Sequence, residues 1–130
     1  MSLSLSIPTI LQVAAGGALG ASARYAVVVA ARRALGVEFP WGTFFVNAIG
    51  SFLIGVLIVV MAEKGGMRFA PFLVVGVLGG FTTFSAFSLD VAVLYERGEM
   101  TSAALYVLGS VVLSVVAVFA AMALTRWAFA

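Results

Sequence analysis

The sequence predicts an all-α integral membrane protein of four transmembrane helices, and three observations carry that prediction. Hydrophobic residues make up 64% of the 130-residue chain and charged residues only 9%, with a mean hydropathy of +1.23. A soluble domain is about 45–50% apolar and about 25% charged. Four apolar stretches, about residues 7–31, 41–62, 69–95 and 103–127, each match or exceed the roughly 20 residues that cross a hydrocarbon core. Helix is the default within them, because a spanning backbone must satisfy its own hydrogen bonds. The connections RRALGVEFP, EKGGMR and ERGEMTS are short and combine glycine with charge, as helix-ending surface turns do. Residues 1–130 read as one domain, with no linker or low-complexity tail.

The first span is preceded by MSLSLS, which carries no Lys or Arg, so it reads as a retained helix and not as a cleavable signal. Pro8 sits near its start, where proline is tolerated. Within GGALGASARY, residues 16–25, Gly16 and Gly20 form a GxxxG pair that lets another helix approach closely. Arg24 follows on the same stretch. An arginine near mid-span costs about 2.5–3.5 kcal/mol, so it faces protein or a water-filled vestibule, or else snorkels to the far interface.

In the second span, WGTFFVNAIGSFLIG, Thr43, Asn47 and Ser51 recur every four residues and share one helical face. Gly50 and Gly55 leave room for neighbouring helices. The third span is 27 residues long, about 40 Å if continuous, and Gly79-Gly80 falls near its midpoint. Glycine weakens a helix interior by about 1 kcal/mol relative to alanine. Thr82, Thr83 and Ser85 are then placed to cap a second half-helix. A break there would leave carbonyls for a cation and a half-helix N-terminus for an anion; a simple packing kink is the other reading. Phe84 and Phe87 lie three apart, on one face. They suit core or lipid contact, or present their electropositive ring edges to a polar passage. Tyr106, Ser110 and Ser114 form a second polar stripe in the fourth span.

Cysteine and histidine are absent, which excludes disulfides, zinc fingers and Ser/His or Cys/His catalysis. No nucleotide-binding glycine motif is present, and no basic cluster forms a nucleic-acid footprint. The Lys/Arg balance does not choose an orientation. Lys64, Arg68 and Arg126 fall on one side, Arg32, Arg33 and Arg97 on the other. Such a chain can insert both ways and pair with an oppositely oriented copy, or be oriented singly by lipid contacts.

GGALGASARY, GTFFVNAIGSFLIG and GGFTTFSAF, with Tyr106, Ser110 and Ser114, closely resemble the Fluc (CrcB) fluoride channels over nearly the whole chain. The resemblance implies four helices with a broken third, assembled as an antiparallel dual-topology homodimer with two pores in the bacterial inner membrane. It implies passive, selective export of cytoplasmic fluoride, relieving its toxicity. By motif position, Phe84, Phe87, Asn47, Tyr106, Ser110 and Ser114 would line the fluoride path, with Arg24 near a vestibule. Main-chain carbonyls of Gly79 and Thr82, from both subunits, would hold a structural sodium ion. Thr43 joins the polar track. At Asp90 some members carry Glu, so the acid is kept one methylene shorter; the residues alone allow an intramembrane carboxylate or an interfacial cap.

Two rivals stand beside this reading. A small dual-topology multidrug transporter relies on a glutamate in its first helix, where this chain has no acid and Arg24 instead. In a noncatalytic assembly subunit, the glycines and hydroxyls would serve packing alone.

Overall fold

The structure is a computed structural model that describes residues 5–130. Residues 1–4, part of the uncharged leader, lie outside the described residues. Among the described residues every regular element is helical.

Helix α1 spans Ile7–Leu35. The Ser6 side chain caps it by accepting the Thr9 N–H at 3.3 Å, with Pro8 in the first turn. It ends at Gly36, whose φ of 84° suits glycine, after Arg32 and Arg33 in a last turn whose carbonyl dipoles favour cations. Helix α2 runs Trp41–Lys64. The third span, Met67–Glu96, comes in pieces: a 3₁₀ turn Met67–Phe69, a π-helix Pro71–Leu78, one α turn Gly79–Phe81 (α3), and α4, Ser85–Glu96. Helix α5 is Met100–Phe129. Several helices outlast the apolar stretches read from sequence, α1 reaching Leu35 where the apolar run ends near residue 31. Polar end turns keep helical geometry while their long side chains reach water.

Packing is set by glycine. The π-helix and α3 lie against α1, and α2 lies against α5. A Cβ added to Gly16 would stand 2.9 Å from the Val77 nitrogen, and one added to Gly80 would stand 2.7 Å from the Gly17 carbonyl. Gly16 therefore meets Gly76, Gly20 meets the Val77 and Phe81 backbone, and Gly80 meets Gly17 and Ala21, with backbone on backbone. This use of Gly80 corrects one expectation. The double glycine does not mark the loss of helix, since Gly79 is helical (φ −63°, ψ −36°). Helical geometry lapses after Phe81, where Thr82 is extended (φ −86°, ψ 160°), and resumes at Ser85. Gly80 serves close approach, and the lapse falls on the threonines.

Little of the molecule is core. A cluster of Phe87, Leu94, Ala103 and Tyr106, with Phe39 and Phe44 against it, joins α4 to α5. In no span is more than 28% of the most apolar window buried, so most of the apolar surface is left for lipid or another membrane chain.

Candidate functional site

The site begins at the lapse, because bilayer-depth backbone outside a helix must find partners. The Asn47 amide on α2 supplies two. Its Nδ2 donates to the Thr83 carbonyl at 2.9 Å, and its Oδ1 accepts the Thr83 N–H at 2.7 Å. A continuous helix would send that N–H to Gly79, so the diversion releases the Gly79 carbonyl from its helical donor. The Thr83 hydroxyl accepts the Ala86 N–H at 3.1 Å and so caps α4; of the three hydroxyls expected to cap, it is the one that does, since Ser85 is already within α4. Thr82 turns back, its hydroxyl donating to the Leu78 carbonyl at 2.9 Å. On the other flank, Arg24 Nε donates to the Gly80 carbonyl at 3.0 Å.

Beside the lapse lies a groove of about 450 Å³. Asn47 and Ser51 reach it from α2, Gly79, Thr82, Phe84 and Phe87 from the third span, and Ser110 and Ser114 from α5. Two members of each polar stripe and the phenylalanine pair thus share one recess. Ser110 Oγ is buried there without a hydrogen-bond partner among the described residues. Native structures rarely leave such a group unpaired, so an orphan hydroxyl bordering a recess marks a place for a ligand or water. Phe87 is 8% exposed and Phe84 77%, so the outer ring is uncovered in a single subunit.

Aromatic rings lead from the groove into the protein. Phe84 and Phe87 have centroids 5.5 Å apart, and Phe87 lies 5.1 Å from fully buried Tyr106. Phe39 holds Tyr106 from the other side, edge-on at 5.4 Å. The Tyr106 hydroxyl donates to Asp90 Oδ2 at 2.8 Å. Asp90 and Thr43 line a second recess of about 350 Å³, together with Arg32, Glu38 and Arg97. Asp90 is therefore a half-buried carboxylate with a named partner, at a cavity that also receives two arginines. The Thr43–Asn47–Ser51 stripe divides between the recesses, with Thr43 in one and the other two in the groove.

Arg24 lines neither recess. Sequence reasoning did not single out Gly76, Phe39 or the place of Arg32 and Arg97 beside Asp90. The Gly76/Gly80 spacing was a readable signal for the first. Nothing local marks Phe39, whose role arises only when the α1–α2 connection folds over Tyr106. Among the described residues no group of three or more acidic side chains is gathered for a divalent metal.

Four apolar helices with hydroxyl, amide and aromatic groups gathered into two recesses define the class: a multi-pass helical membrane protein. A family model described as CrcB-like protein, Camphor Resistance (CrcB), matches residues 11–122, and the chain belongs to that family. Over 120 residues it is 60% identical to a Cereibacter sphaeroides protein named Fluoride-specific ion channel FluC, covering 92% of this chain and 96% of that one. A protein of the same name from Paracoccus denitrificans is 55% identical over 122 residues, 94% and 98% of the two chains. One from Agrobacterium fabrum is 53% identical over 116 residues, 88% and 93%. Membership places the chain among non-enzymatic, multi-pass proteins of bacterial membranes.

Proposed function

We propose that this protein is a fluoride-selective passive channel that lets cytoplasmic fluoride leave through the bacterial inner membrane and so relieves fluoride toxicity. The observation that carries the reading is the orphaned Ser110 hydroxyl, buried in a groove that Asn47, Ser114, Phe84 and Phe87 also line. Fluoride is small and strongly hydrated, so a path must replace its water with several donors. The second Nδ2 hydrogen of Asn47 remains after the Thr83 bond, and the serines add hydroxyl donors. The electropositive ring edges of Phe84 and Phe87 complete a set that attracts a small anion without holding it as a fixed cation would. Tyr106, with Thr43 and Asp90 beyond it, continues the track toward the arginine-flanked recess. Selectivity then follows from width and donor geometry. The relatives' names point the same way.

The working form in this reading is an antiparallel, dual-topology homodimer with two pores. The balance of Lys and Arg between the two faces supports it, as does the uncovered ring of Phe84. The lapse is the broken third helix of such a subunit. Its Gly79 carbonyl, released by Asn47, and the extended Thr82 suit a monovalent cation bound by neutral oxygens of two copies. Sodium there, when bound, supplies positive charge that offsets an anion in low-dielectric surroundings.

Flux from liposomes separates the rivals. The channel empties fluoride rapidly and chloride negligibly, with no proton coupling. Proton-coupled uptake of a cationic drug would establish the multidrug transporter, although α1 carries no carboxylate for it. Silence in both assays would leave an assembly subunit.

A further inference from the structure

We infer that Arg24 is a positioning residue that pins the lapse in the third span through its Nε–H, and that its charge is not what the protein uses. Arg24 lies 17 residues beyond Ile7, about 26 Å along α1 and past the middle of that helix. In a continuous helix the Gly80 carbonyl would take the Phe84 N–H, but the chain is not helical from Thr82 to Phe84. That carbonyl needs another donor where water is scarce, and Arg24 Nε supplies it at 3.0 Å. The approach is built into α1. Gly17, Gly20, Ala21 and Arg24 share one helical face; Gly80 rests against Gly17 and Ala21, and Gly20 against Val77 and Phe81. Arg24 is one turn beyond that contact, within reach of the carbonyl. Asn47 holds Thr83 from α2, so the lapse is fixed from both flanking helices. Arg24 borders neither recess, whereas Arg32 and Arg97 both border one.

Side-chain chemistry distinguishes a pin from a vestibule charge. Glutamine carries an N–H₂ on Cδ, at the position of the arginine Nε, without charge. Lysine keeps the charge but puts a methylene there. If Nε is the working atom, Arg24→Gln keeps fluoride efflux within about twofold of the unaltered protein, while Arg24→Lys loses about tenfold or more. Half-saturating fluoride stays unchanged in Arg24→Gln, whereas loss of a vestibule charge would raise it. The reverse order, full activity in both variants, or loss in both from correctly assembled protein overturns the pin.

The efflux comparison rests on the fluoride reading above. If the unaltered protein moves no fluoride, that reading fails, and the pin is judged by exchange in the unaltered protein. There the Arg24 Nε–H exchanges at least about tenfold more slowly than those of exposed Arg32 and Arg33. Equal rates overturn the pin.

Discussion

Ser110 gives the sharpest test available from a single side chain. Its hydroxyl is buried and unpaired, so removing it relieves a desolvation cost and takes away no bond among the described residues. Ser110→Ala is therefore expected to leave the thermal midpoint unchanged or raise stability by up to about 1 kcal/mol, while fluoride efflux falls. A serine that served packing alone would leave efflux unchanged. Asn47 has the opposite signature. Asn47→Leu strands both the N–H and the carbonyl of Thr83, at a cost of about 1–3 kcal/mol for each group left unpaired. Its midpoint should drop together with its flux. A midpoint equal to that of the unaltered protein would show that the two Thr83 bonds do not hold the lapse.

Among the elements, the contact of α1 with the π-helix and α3 is the most sensitive to one added carbon. At Gly20 a Cβ would strike the Val77 carbonyl and stand 2.9 Å from the Phe81 nitrogen, whereas at Gly17 it would meet nothing within 4 Å. Gly20→Ala should cost at least about 2 kcal/mol, since backbone cannot shift as a side chain can. Gly17→Ala should be neutral or stabilising by up to about 1 kcal/mol, the ordinary helix-propensity gain. Thermal midpoints of the two purified variants provide the comparison, and equal midpoints would contradict the close approach. This element also shows where sequence reading stops. Length, apolar runs and the Gly16/Gly20 spacing place the four spans, because hydropathy and small-residue spacing are local properties. The position of the lapse is not local. It depends on Asn47 competing for the Thr83 N–H and on Gly80 being held helical against α1. The Thr83 hydroxyl was legible as a cap; that the Thr82 hydroxyl turns back to Leu78 instead, and which glycine served packing, were not. Likewise Asp90 was readable as an intramembrane carboxylate or an interfacial cap, but its Tyr106 partner required α4 and α5 to meet.

For the whole molecule, the single subunit leaves Phe84 bare and most of its span surface uncovered. The even split of Lys and Arg between the two faces accounts for how a second copy would arrive inverted. Lysines added to the connection between α2 and the third span should force one orientation and abolish efflux. Co-expression with a copy biased the other way should restore it. Full efflux from a population fixed in one orientation would exclude the antiparallel pair.

The central claim is that the groove at the lapse carries fluoride past the two phenylalanines. Replacing both Phe84 and Phe87 with isoleucine keeps the apolar bulk and removes the ring edges. Fluoride efflux from liposomes containing this double variant, checked to assemble as the unaltered protein does, is the most direct measurement. The account predicts that the unaltered protein empties the liposomes of fluoride and the double variant does not. Undiminished fluoride efflux through a correctly assembled double variant would contradict it.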